Sequence, residues 1–246
     1  MERLTSRKNE HIRHIRRLSA DRAARREAGE FVCDGEKLLR EALGHGVEIC
    51  SVFWAAEPSV EVSGAAQYRV PPELLDYISP LKSATNVVFT AKIPQWELCP
   101  PGKTLVAETI QDPGNLGTIL RTANALNLDT VILTGDCADL YSPKTVRATM
   151  GAVFRQRVYE MERGELRAYL GAYGKKLYGA ALSDRAGDIR DLDLRSAAVA
   201  VGSEGRGLSP ELLALCDGEL IIPMNRDCES LNAAIAAAII MWEIVK

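Results

Sequence analysis

The chain is poor in the residues that would make a metal or disulfide protein. Its six cysteines, at 33, 50, 99, 137, 216 and 228, form no CxxC pair, and histidine occurs only at 11, 14 and 45. No usual zinc pattern results, so no metal is expected. The thiols read as reduced, in a cytoplasmic protein. His11 and His14 stand one helical turn apart without further ligands and read as surface residues. No apolar run reaches the roughly 18 residues a membrane span needs. The opening MERLTSRKNEHIRHIRR is basic but has no apolar core, which excludes a secretory signal. Internal repeats and low-complexity tracts are absent. So are the dinucleotide fingerprint GxGxxG and the phosphate-binding loop ending in Gly-Lys-Ser/Thr.

What is present is an ordinary globular composition, 47% hydrophobic and 26% charged, in 246 residues. That length buries a substantial core and allows one or two domains. The net charge of −3 argues against a strongly basic nucleic-acid binder, but the charge is unevenly spread. Residues 1–30 hold nine Lys/Arg and five Asp/Glu, a local +4, which leaves −7 on the remainder. A basic patch of this kind engages phosphates or is a solvated helix face.

After the basic helix, alternation of apolar runs and turn residues places strands at 31–34 and 47–55 around a helix at 35–43. A proline-opened helix then precedes a strand in NVVFTAKI. This makes a small α/β unit over 1–92. A proline-rich linker occupies 93–103. From 104 to 246 strands and helices alternate: TLVAETI, DTVILTG, KKLYGAAL, AAVAVGSEG and ELIIPM are strands. SPKTVRATMGAVF, SPELLALC and SLNAAIAAAIIMWEIVK are helices, the first two opened by Ser-Pro. Such alternation predicts a mostly parallel sheet with helices on both faces.

Ligands of a parallel sheet gather beyond the carboxyl ends of its strands, and three of those ends are unusual. In QDPGNLGTILR turn residues pass into a helix. Asn115 is a candidate N-cap, Gly117 lies in the first turn, and Arg121 stands four residues later on the same face. In VGSEGRGLSPE a strand runs into Gly202, Glu204, Gly205 and Gly207. In IPMNRDCESLN a strand meets a polar loop, and Ser230 and Asn232 open the last helix. Backbone-accessible glycines beside a few polar side chains suit a polar cofactor.

Together these three stretches resemble the SpoU (TrmH-like) family of RNA ribose 2′-O-methyltransferases, within the knotted SPOUT superfamily. N-x-G-x-x-x-R is met by Asn115, Gly117 and Arg121. The G-S-E-G-x-G turn is met by 202–207, and the I-P-M end with its later S-L-N by Ile222 to Met224 and Ser230 to Asn232. The resemblance covers about 104–246. It departs at Asn127, where the family usually has glycine, and at Thr149, where it commonly has serine. Asparagine tolerates the left-handed conformation of a helix stop, so no functional loss is expected.

The resemblance implies a carboxy-terminal domain tied in a deep trefoil knot, holding S-adenosylmethionine. Gly202, Ile222, Met224 and Leu231 are then the cofactor-binding candidates. Arg121, Asn115, Glu204, Ser230 and Asn232 are the catalytic ones, with Arg147 and Arg206 as lesser phosphate contacts. Arg121 is either a general base, as proposed in the family, or an electrostatic clamp, since a free guanidinium is a poor base. Gly117 would leave room beneath Arg121 for RNA or a second subunit. Residues 1–92 look like an attached RNA-binding domain, with Arg7, Lys8, Arg13, Arg16 and Arg17 on its basic helix. The implied partners are ribosomal RNA and a second copy of the chain, docked through the carboxy-terminal domain. Transfer RNA, a resistance-conferring ribosomal modification and a non-catalytic RNA-binding assembly factor are the competing readings.

Charge reversal at Arg13, Arg16 and Arg17 together is expected to weaken RNA binding and flatten its salt dependence, since each lost phosphate contact releases fewer counterions. Cofactor binding should be unchanged in the same protein. Equal loss of both, by titration, would make these residues structural.

Overall fold

The computed structural model describes residues 1–80, 86–203, 205–225, 227 and 230–246. It divides into two compact units, Met1–Gln95 with Asp139–Arg155, and Trp96–Ala138 with Gln156–Lys246. The segment Asp139–Arg155, placed by the alternation in the second domain, thus belongs with the first unit.

The first unit runs β1 (Glu2–Arg3), α1 (Glu10–Ala20), α2 (Arg22–Ala28), β2 (Glu30–Asp34), α3 (Glu36–Gly44), β3 (Ile49–Trp54), β4 (Ala66–Arg69), α4 (Pro72–Ile78) and β5 (Val87–Lys92). Its sheet has the order β1-β4-β3-β5-β2. It is mixed: β4 is parallel to β1 and β3, while β5 is antiparallel to β2 and β3. The basic segment is two helices. Asp21 ends α1 and caps α2, accepting from the Ala23 amide. Ile12, Ile15 and Leu18 recur at three-residue spacing on the buried face of α1 and join Val32, Phe53, Leu75 and Ile78 in one core. The opposite face leaves Arg13, Arg16 and Arg17 exposed. Arg25, counted in the basic patch, is instead buried and paired with Asp139, its Nε donating at 2.9 Å.

The second unit begins with β6 (Thr104–Glu108), α5 (Pro113–Ala125) and β7 (Thr130–Thr134). The chain then contributes α6 (Pro143–Thr149) to the first unit and returns as β8 (Val158–Glu160), α7 (Arg163–Ala172), β9 (Leu177–Ala180), β10 (Gly187–Asp188), β11 (Ala198–Val201), α8 (Pro210–Leu213), β12 (Gly218–Ile221) and α9 (Ala233–Val245). Among the described residues its sheet has the order β10-β12-β9-β11-β6-β7-β8, and every pairing is parallel. Side chains alternate across each strand. Val106, Ala198 and Ala200 pack with Leu166, Leu170 and Leu212 of α7 and α8. Leu105, Ala107, Val199 and Val201 are buried on the other side, where α9 meets β6, β11 and α5.

Sequence patterning missed β4, β8 and α7. The last is opened by a capping box of Glu162 and Glu165 and interrupted by Gly164 and Gly171, residues that weaken a helical signal. The expected linker is docked onto the second unit from Trp96 onward. The Tyr159 hydroxyl donates to the Glu97 carbonyl at 2.7 Å and the Tyr169 hydroxyl to the Cys99 carbonyl at 2.6 Å. Burial pushes the Tyr169 phenol up to about 12, so it remains a donor at ordinary pH. Ser142 does cap α6 as read, accepting from the Thr145 amide, and the helix stops at Met150 and Gly151, both at positive φ. No helix of the described residues is long and apolar enough to cross a membrane.

Asn127 has φ +54°, the left-handed helix stop expected of it. Asn127→Gly should be neutral or slightly stabilising, whereas Asn127→Val should lower unfolding free energy by about 1–2 kcal/mol. Urea denaturation of the two variants measures this. Equal midpoints would refute it.

Candidate active site

The second unit opens a cavity of about 600 Å³ beyond the carboxyl ends of β9, β11 and β12. Three segments wall it: the chain leaving β9 at Ala180–Ser183, the turn between Gly202 and Leu208, and the stretch from Leu220 through Met224 to Ser230, Leu231 and Ala233. Such a volume, mostly apolar with a few polar groups, is in the range of pockets that hold drug-sized ligands.

The glycine turn is set by close main-chain packing. The Gly207 amide donates to the Ser203 carbonyl at 2.8 Å, and Gly207 takes φ +64°. A Cβ on Gly202 would lie 2.1 Å from the Gly207 carbonyl carbon and oxygen and 2.4 Å from the Leu208 nitrogen. The obstacle is backbone, so no side-chain rotation relieves it. Glu204 lies outside the described residues.

On the facing wall, β12 delivers Ile222 and Met224, both half-buried, to the cavity. The position of β12 is fixed at its start by Asp217, which accepts from the Leu177 amide at 2.8 Å. The Arg167 guanidinium beside Asp217 holds its carboxyl below the usual carboxylate range. Ser230 and Leu231 line the cavity, but Ser230 is not the helix cap. Asn232 is: its side-chain oxygen accepts from the Ala234 and Ile235 amides at 2.9 and 3.3 Å.

The same Asn232 joins the remaining motif. Its Nδ2 donates to Asn115 Oδ1 at 3.1 Å, tying the start of α9 to the first turn of α5. Asn115 is not the N-cap of α5. Asp112 accepts from the Asn115 amide at 2.8 Å, and the helix starts one residue later at Pro113. Gly117 is buried, so the space beneath Arg121 is closed by the protein rather than left open. Arg121 is exposed on α5 and lies outside the cavity lining. The three sequence motifs therefore converge, two as walls of one pocket and the third bonded to its rim.

Sequence reading missed the wall after β9. There Ser183 and Arg185 both bond Glu219, the latter at 3.0 Å, putting a carboxylate and a hydroxyl on the cavity. The strand itself was legible; its position beside β11 and β12 was the missing information. Arg147 belongs to the first unit and is exposed, while Arg206 lines the cavity. In the first unit, Arg7, Lys8, Arg13, Arg16 and Arg17 are all exposed. The guanidiniums of Arg7 and Arg16 lie 4.4 and 4.8 Å from the Tyr77 ring centroid, and Arg17 pairs with Glu27 at 2.7 Å. Among the described residues no group of His, Cys, Asp or Glu is arranged to hold a metal.

A parallel sheet with a glycine-walled pocket beyond its strand ends is the arrangement of ligand-binding α/β proteins. The sequence model of the SpoU rRNA Methylase family matches residues 102–242, and the chain belongs to that family; it is a methyltransferase. It is 32% identical to a 23S rRNA (guanosine(2553)-2′-O)-methyltransferase of Bacillus subtilis, over 99% of both chains. A crystal structure of an AdoMet-bound rRNA methyltransferase from Sinorhizobium meliloti superposes with a TM-score of 0.88 at 30% identity, covering 99% of this chain and 97% of that one. The SpoU methyltransferase AviRb from Streptomyces viridochromogenes, solved with AdoMet, gives 0.87 at 27% identity over 97% of each.

Proposed function

We propose that this protein methylates the 2′-hydroxyl of a ribose in large-subunit ribosomal RNA. It is an S-adenosylmethionine-dependent RNA ribose 2′-O-methyltransferase. One observation carries the residue-level reading: Asn232 lies at the junction of cofactor pocket and Arg121 helix, capping one helix and bonding the other.

The residues present suit the cofactor. Gly202 lets the turn that walls the pocket fold back on itself where any Cβ would collide with Gly207 and Leu208, and Ile222, Met224 and Leu231 form an apolar slot for adenine. When bound, S-adenosylmethionine supplies an electrophilic methyl on sulfur. The protein must then position the ribose hydroxyl and manage its charge. Arg121 has no hydrogen bond or ion pair among the described residues, and a guanidinium stays cationic at any working pH. It therefore clamps the adjoining phosphate and stabilises developing alkoxide charge, and the hydroxyl proton passes to water rather than to the guanidinium. Asn115 and Asn232 hold that helix against the pocket. Ser230 and Glu204 are proposed to complete the site from the resemblance of their motifs.

The trefoil knot belongs to this proposal. Its support is that the chain, having passed beyond β9 to form β12, returns as α9 to pack on α5 and against β6 and β11. So does a homodimer through the same unit. Ile235, Ile239 and Trp242 are 52%, 36% and 59% exposed at four- and three-residue spacing, an apolar stripe that a second copy would cover. Residues 1–92 would read the RNA with Arg7, Lys8, Arg13 and Arg16 foremost, and a cytoplasmic location is part of the same proposal.

Transfer of labelled methyl from S-adenosylmethionine to separated ribosomal and transfer RNA tests the reading. Label is expected in a ribosomal-RNA ribose, reduced about a hundredfold or more by Arg121→Ala. Label in transfer RNA would overturn the substrate, and no label in either, ribosomal particles included, would leave a binding protein.

A further inference from the structure

Glu108, the last residue of β6, is only 1% exposed. A carboxylate is seldom buried so deeply unless its oxygens are satisfied. Here three donors satisfy them. Arg163 Nε donates to Oε1 at 2.8 Å, the Ser209 hydroxyl to Oε1 at 2.7 Å, and the Ser209 amide to Oε2 at 2.7 Å. Ser209 Oγ in turn accepts from the Leu212 amide at 3.1 Å, opening α8. Gly135, at φ +67°, lies against this cluster, where a Cβ would come within 3.7 Å of Glu108 and Arg163.

The place of Ser209 gives the cluster its meaning. It directly follows the glycine turn that walls the cofactor pocket. The turn is entered from Val201, which pairs with Ala107 of β6. It is left at Ser209, which is bonded to Glu108, the next residue of the same strand. Both feet of the turn are therefore tied to adjacent residues of β6, one through the strand ladder and the other through the Glu108 carboxylate. The same strand continues into the segment that Asp112 caps and that carries Asn115 and Arg121.

We infer that Glu108 is a positioning residue for methyl transfer: by anchoring Ser209, it holds the turn between Gly202 and Leu208 in the shape that accepts the cofactor. Arg163 orients the carboxylate and balances its charge. Glu108 does not line the cavity, so it acts through the turn and not on the reacting atoms. The inference rests on the pocket's being the S-adenosylmethionine site.

Titration calorimetry with S-adenosylmethionine and steady-state methyl transfer test it on Glu108→Gln, Ser209→Ala and Ser209→Thr. Glu108→Gln keeps the shape but presents an amide that cannot satisfy three donors at once. It should raise Kd and KM for the cofactor about tenfold or more, the loss expected for a charge-assisted hydrogen bond. KM for RNA, and kcat at saturating cofactor, should stay within about twofold. Ser209→Ala should reproduce the defect, and Ser209→Thr, which restores the hydroxyl, should rescue it. Adding Ser209→Ala to Glu108→Gln should bring little further loss. Should Glu108→Gln fail to fold, the two Ser209 variants decide alone.

Unchanged cofactor affinity in Glu108→Gln or Ser209→Ala, with the wild type binding, would overturn this inference and leave the function intact. A fall in kcat with both affinities preserved, as a smaller folded fraction would produce, would also overturn it. A wild type that takes up no S-adenosylmethionine would overturn both the inference and the reading of the pocket.

Discussion

The second unit depends on a place where two stretches of main chain come too close for any side chain. Gly202 leaves β11 directly against the returning Gly207 and Leu208, with no room for even a methyl group. Because that turn doubles back so tightly, β11 ends in an open wall rather than a filled loop, and the facing strand ends of β9 and β12 can share the cavity with it. The energy for this contact comes from elsewhere. The all-parallel sheet beneath has fully buried strands at its centre, β6, β7 and β11, and α7, α8 and α9 cover it. The core holds the backbone in a shape that only glycine permits.

How much of this was legible in the sequence depends on the range of each signal. The strands that became β6, β7, β9, β11 and β12 are apolar runs bounded by turn residues, and their alternation with helices was enough to predict the parallel sheet. The helix stop at Asn127 and the cap at Ser142 are local chemistry, and both stand where they were read. Capping elsewhere is less sharply marked: Asp112, not Asn115, opens α5, and of Ser230 and Asn232, both read as opening the last helix, Asn232 caps α9 while Ser230 lines the cavity. Each of these stretches offers two or three good capping residues, and only the fold selects among them. Gly117, read as a gap for a partner, is filled by the chain itself.

What the sequence hid is tertiary. Nothing marks Ala181–Ser183 as a wall until β9 is seen between β11 and β12. Glu108 reads as one acidic residue at a strand end, and its partners at 163 and 209 are too distant in the chain for any pattern to join them. The basic start of the chain shows the converse. Its charge count included Arg25, which is buried in an ion pair, and Arg17, which is matched by Glu27. Fewer positive charges face solvent than the composition suggests, and those of Arg7 and Arg16 are gathered over one tyrosine ring.

The central claim is that the glycine-walled cavity is the cofactor site. Its most direct test is calorimetric titration of S-adenosylmethionine into the wild type and Gly202→Ala, with thermal unfolding of both as a check on folding. The account predicts one site per chain in the wild type and at least about tenfold weaker binding in a folded variant. Equal binding by both proteins, or none by the wild type, would contradict it.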